Sequence, residues 1–284
     1  MNYWCIMGKV ELIKGKKKNR LDELLKVDDP VFDPEPDEAP ENPDKEDYVL
    51  FSGTNGIQVL TDKGPVVLSQ RKARDFAVSD DCVYYIDYIS YGIVDLTCND
   101  TRIRTFTELA PNLICSFNGE LYCSGSKMQG KGHLIKAVGG NFESKRKYPV
   151  AGLLVFKNTL YDVTSDGKVY HTFFGEKKFD MMNNNTMTTT QKITSVSNNN
   201  IDGVTMVISN RIRDLDQNFI MKSGSGYDKD IKSICKDRNG IQYHAGDYGI
   251  VSQSKQIYSG YVDVVTTVPK ELLMRYEKCR EKLR

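Results

Sequence analysis

The sequence predicts an all-β chain: about six short antiparallel sheets of one repeating design, with a flexible arm in front and an α-helix behind. Three observations predict it. From residue 48 onward, short apolar runs are punctuated by Gly, Asn and Asp, with no helical periodicity until residue 269. A turn, an apolar residue and a tyrosine recur at a long interval: Tyr84, Tyr122 and Tyr161 lie 38 and 39 residues apart, and Tyr243 follows 82 later, or two intervals of 41. After each tyrosine a glycine opens a further apolar run, as in Gly92-Ile93-Val94, Gly132-His133-Leu134-Ile135, Gly167-Lys168-Val169-Tyr170 and Gly249-Ile250-Val251.

The copies follow in order. Tyr48 leads through 49–53 to Gly56-Ile57-Gln58-Val59. Phe76-Ala77-Val78 then turns at Asp80-Asp81 into Cys82-Val83-Tyr84. The run 113–117 turns at Asn118-Gly119 into Leu121-Tyr122, and 153–156 turns at Lys157-Asn158 into Leu160-Tyr161. A degenerate copy holds 193–196, a turn around 200–203 and 204–208, and the last has Ile234-Cys235, Asn239-Gly240 and Tyr243. Each reads as a hairpin followed by a third strand. A polar loop rich in Asn and Thr, 183–191, precedes the degenerate copy, and Gly224-Ser225-Gly226 reads as a flexible turn.

A unit of about 40 residues made of three or four short strands is the size of a propeller blade. On these hairpins the region 48–268 resembles β-propeller repeats, without the Gly-His and Trp-Asp dipeptides of WD40 blades. The resemblance implies a β-propeller of about six blades, with seven as the alternative. A ring left open would expose two unpaired sheet edges. The first copy lacks the apolar strand that precedes the tyrosine elsewhere, so the segment 256–267 is expected to supply it and close the ring, with 3–12 as the alternative.

Outside the repeats, 1–27 reads as a small strand and short helix flanking a basic run from Lys14 to Arg20. The tract 28–47 alternates five of the nine prolines with ten acids and reads as an extended tether, because it cannot bury enough apolar area to offset its ordering entropy. At the other end, 269–284 reads as one helix: Pro269 suits its first turn and basic residues crowd its last. Leu272, Leu273, Tyr276 and Cys279 share a face that must dock, either on the propeller or on a partner. If on a partner, Leu272, Leu273, Tyr276, Lys278 and Arg280 are the expected contact residues.

Composition narrows the function classes. Lys and Arg total 39 against 38 acids, so no global field points to nucleic acid or a membrane, and neither is expected as a partner. Seven scattered cysteines without a Cys-x-x-Cys pair suggest reduced thiols, and the absence of a leader or long apolar run suggests a cytoplasmic or nuclear location. His133, His171 and His244 fall in different frames of the repeat, which argues against a shared metal or base. Asp75, Asp87, Asp162, Arg213 and Asp247 are candidates for the channel by position alone, without a nucleophile-base spacing beside them. No catalytic residue, metal or cofactor is expected. The reading is a non-catalytic scaffold for protein partners; a propeller hydrolase or lyase with its site at the channel mouth, and a structural subunit of a larger assembly, are the alternatives.

Overall fold

The computed structural model describes residues 46–283 apart from 185, 198–202 and 228. The strand expected over 3–12, the helix over 21–27 and most of the acidic tract lie outside the described residues. Six four-stranded antiparallel sheets are arranged as a ring. The first holds β1 (Asp47–Gly53), β2 (Gly56–Thr61) and β3 (Gly64–Ser69), and the second β4 (Ala73–Val78), β5 (Val83–Asp87), β6 (Ile93–Asp95) and β7 (Thr101–Arg104). The third holds β8 (Leu109–Phe117), β9 (Glu120–Lys127), β10 (His133–Ala137) and β11 (Glu143–Arg146). Next come β12 (Val150–Phe156), β13 (Thr159–Thr164), β14 (Lys168–His171) and β15 (Lys177–Asp180). The fifth blade is β16 (Ile193–Val196), β17 (Val204–Ile208), β18 (Arg211–Leu215) and β19 (Met221–Gly226). The sixth is β20 (Ser233–Lys236), β21 (Gln242–Gly246), β22 (Gly249–Ser252) and β23 (Lys255–Tyr258). Finally β24 (Val262–Pro269) returns to the first blade and pairs with β1 from Asp47↔Pro269 to Gly53↔Val262.

That pairing closes the ring as the missing strand required. The inner strands neighbour one another in the cyclic order β24, β4, β8, β12, β16, β20 and back to β24. Two details differ from expectation. The segment 256–267 is not one strand: β23 ends the sixth blade, Gly260 at φ 138 turns the chain, and only β24 closes the ring. And β1 starts at Asp47, inside the tract read as a tether.

The repeat tyrosines 48, 84, 122, 161 and 243 all stand on the second strand of their blade. The glycines that open the third strand have left-handed backbones at Gly56, Gly132, Gly167 and Gly249, a conformation that an L side chain resists. The second blade is the exception. There Tyr91 takes the positive φ, at 54°, and Gly92 does not.

Neighbouring inner strands share no ladder, so their free backbone groups need other partners. Small polar side chains supply them. Ala73 N–H donates to Ser52 Oγ at 2.9 Å, Ile114 N–H to Asp75 Oδ2 at 2.8 Å, Ile234 N–H to Ser195 Oγ at 3.2 Å and Val265 N–H to Ser233 Oγ at 3.1 Å. Farther out, Arg146 on β11 grips Asp162 on β13 with two parallel bonds of 2.6 and 2.7 Å, and Thr172 Oγ1 donates to the same carboxylate. This pair joins the third blade to the fourth. The turn expected at Gly224-Ser225-Gly226 is part of β19, whose residues are all exposed and so lack the apolar alternation that marks a strand.

The C-terminal segment is two short helices, not one: α1 (Lys270–Arg275) and α2 (Glu277–Leu283), separated by Tyr276 with an extended backbone at φ −98, ψ 125. The Tyr276 hydroxyl donates to the Asp81 carbonyl, which anchors the break on a turn of the second blade. With the axis broken there, Leu272, Leu273 and Cys279 all enter one core with Leu50, Leu68, Phe76 and Val94, between the first two blades. No helix among the described residues is long and apolar enough to cross a membrane.

Candidate functional site

Each inner strand runs from one face of the ring to the other, which gives the channel two unlike mouths. The lower mouth, where inner strands end, opens into a depression of about 1020 Å³ lined by the first hairpin turns, the end of β24 and α1. Three ionisable groups meet on its rim, yet they satisfy one another. Arg238 bonds Asp47 at 2.6 Å and Glu271 at 2.7 Å, and Arg275 donates to the Asp80 carbonyl at 3.3 Å. These contacts latch the sixth blade and the helices across the closure. Burial holds the Cys115 thiol in the same depression up near 12, which removes it as a nucleophile at neutral pH.

The upper mouth is smaller and differently built. A cavity of about 170 Å³ draws lining residues from all six inner strands, among them Arg74, Asp75, Ser195, Ser233 and Asp263, with Lys232 from the loop before β20. At its rim the turn between β5 and β6 is held by Asp87. That carboxylate accepts from Ser90 N–H at 2.7 Å, Ser90 Oγ at 2.8 Å and Ile89 N–H at 3.1 Å, and these bonds keep it below its ordinary range although burial opposes them. The loop so fixed presents Ile89 with 88% of its surface exposed, between the exposed Tyr88 and the half-buried Tyr91. The Arg74 guanidinium lies 4.2 Å from the centroids of both tyrosine rings, and its Nε–H donates to the Tyr88 carbonyl at 3.0 Å. Across the mouth Lys232 lies 4.1 Å over the exposed Tyr261 ring and pairs with Asp247 at 2.6 Å, while the Tyr261 hydroxyl donates to Asp263.

Most residues singled out from sequence are placed elsewhere. His133, His171 and His244 stand on the third, fourth and sixth blades, on β10, β14 and β21. Asp162 is a buried structural partner of Arg146, and Arg213 packs its side chain over Gly224, where a Cβ would sit 2.2 Å from Nη1. Asp75, Asp87 and Asp247 do belong to the upper mouth. Leu272 and Leu273 are buried on the propeller itself; Tyr276 bonds Asp81, and Lys278 pairs with Asp100 at 3.2 Å. Arg280, half-buried, has no charged partner among the described residues. Missed by sequence reasoning were Arg74, Tyr88, Ile89, Tyr91, Lys232 and Tyr261. The available signal was Tyr88-Ile89-Ser90-Tyr91, an apolar turn where other copies place Gly, Asn or Asp.

Asp75 also leads to a pH prediction. Burial in the channel raises its carboxyl to about 7 from 3.8, despite the Ile114 N–H bond. Between those values the folded protein holds a proton that the unfolded chain lacks, so this contribution is full below the lower value and lost as pH rises through the upper one. His244, which burial lowers to about 4 from 6.5, has the opposite sign: its contribution is lost as pH falls through that window. The two slopes largely cancel between them. Asp75→Asn is therefore expected to uncover an acid-destabilising slope, differing from the parent by roughly 1.4 kcal/mol per pH unit. Urea titrations across that window check this, and parallel slopes for the two proteins would mean that Asp75 is ionised in the folded channel.

No family model and no curated protein matches the sequence. Among solved structures the chain is similar to one from the nidogen/laminin complex, at 12% identity and a TM-score of 0.56, over 78% of this chain and 98% of that one. The chain is a six-bladed β-propeller. A Bacteroides caccae protein of unknown function resembles this propeller equally broadly, at 10% identity and a TM-score of 0.53, again over 78% and 98% of the two chains. Likeness at such identities shows the fold.

Proposed function

We propose that this propeller is a non-catalytic protein-binding module whose upper face receives the partner. The observation that carries the reading is Ile89. A large apolar side chain, almost fully exposed on a loop fixed by three bonds to Asp87, is arranged for burial that the single chain does not provide. Tyr88, Tyr91 and Tyr261 extend the surface with rigid aromatic area of the kind enriched at interface hot spots. The similar propeller solved within the nidogen/laminin complex supports a binding role by analogy of fold. On the lower face the rim cation Arg238 is already taken by Asp47 and Glu271.

The test is capture of partners from the native cell with the tagged full chain, quantified by mass spectrometry. Ile89→Asp is expected to fold as the parent does, since the side chain touches little, and to lose the partner by roughly 30-fold or more, as a hot-spot residue does. Phe174→Asp, at a site 77% exposed on the lower face, is the control and should retain it. Retention by Ile89→Asp with loss by the control would reverse the assignment.

A further inference from the structure

We infer that Arg74 is a receptor for one carboxylate, carried by an extended acidic peptide segment of the partner that lies over the upper mouth; the inference rests on the binding reading above. Three features of the guanidinium support it. Two aromatic rings flank it and the Tyr88 carbonyl holds its Nε, so its orientation is fixed before any ligand arrives. Both terminal nitrogens lack a hydrogen-bond or ion-pair partner among the described residues, whereas Lys232 across the mouth already has Asp247. And Arg74 lines the cavity itself, to which Ser195 and Ser233 also contribute. A planar fork with an open edge matches the two oxygens of a carboxylate.

The surrounding charges select the ligand further. Asp263 lines the same small cavity, and Asp75 adds a second carboxylate once it ionises, so a dianion such as phosphate is opposed about twice as strongly as a monocarboxylate while gaining the same single free cation. A single negative charge gains that cation at the smaller cost. The peptide context follows from Tyr88 and Tyr91, which flank the guanidinium, and from the exposed Ile89 on the same turn, all of which would be covered by apolar neighbours of the acidic residue. A free carboxylate metabolite would leave them exposed.

The experiment is an NMR titration of the full chain with three probes: blocked leucyl-glutamyl-leucine, its glutamine counterpart, and inorganic phosphate. The glutamate peptide is expected to shift the Tyr88 and Tyr91 amides saturably, with affinity about tenfold or more above the glutamine peptide, and phosphate to leave them unmoved. Arg74→Lys keeps the charge but loses the fork, and should weaken the glutamate peptide by about tenfold while the remaining spectrum confirms an intact fold. Equal effects of the two peptides, a stronger response to phosphate, or no saturable shift would overturn the inference. If Ile89→Asp abolishes partner capture while the glutamate peptide leaves Tyr88 and Tyr91 unmoved, the binding face stands and the carboxylate receptor falls. Peptide binding at Arg74 with undiminished capture by Ile89→Asp would be the reverse.

Discussion

Arg146→Ala is expected to destabilise the propeller by about 3–5 kcal/mol, the range found when one partner of a buried ion pair is removed. Arg146 keeps 8% of its side chain exposed and Asp162 none, and the two meet in a two-bonded geometry at 2.6 and 2.7 Å. Without the guanidinium, Asp162 would keep Thr172 as a donor and lose the charge that offsets its desolvation. Burial already pushes this carboxyl up, so the orphaned group should take a proton in the folded state, and the variant should regain part of its stability on acidification. Arg146 also lies 4.7 Å from the Tyr170 ring, so Arg146→Lys should recover only part of the loss. In a domain of this size the alanine variant should melt roughly 6–20 °C lower. Calorimetry of the two variants tests this, and a melting point within a degree or so of the parent would show that the pair is dispensable.

Leu273→Ala carries the second large effect, about 2–5 kcal/mol, because its side chain is fully buried between the first two blades. Arg280→Ala, on the neighbouring helix, should change stability by no more than about 0.5 kcal/mol. Thermal melts of the isolated protein decide the matter. Near-equal, small effects would mean that the helices rest loosely on the ring and keep their apolar face for a partner.

Much of this fold was legible because a blade repeats its physics. Each tyrosine hairpin marks a second strand, and the following glycine marks a backbone that turns left-handed at Gly56, Gly132, Gly167 and Gly249, though not at Gly92. Closure could be inferred from what the first copy lacked, since an unpaired edge has a cost that the chain must meet somewhere. The failures have equally local causes. The exposed strand β19 carries no alternation, so Gly224 looked like a turn. The break at Tyr276 depends on a carbonyl at Asp81, almost two hundred residues earlier, which helical periodicity cannot register. The upper mouth was nearly invisible for the same reason. Arg74 and Lys232 face one cavity only because β24 returns to the first blade, and nothing local to either residue announces the other. Asp75 and Asp247 were found by their place in the repeat, but as channel carboxylates without a role.

Hydroxyl-radical footprinting of the protein with and without its captured partner tests the assignment of the binding face most directly. Oxidation should fall at Tyr88, Ile89, Tyr91 and Tyr261 and stay unchanged at Phe174 and Tyr276. Protection confined to Phe174, Tyr276 and the turn at Asp80-Asp81, with the four upper-face residues still reactive, would contradict the account.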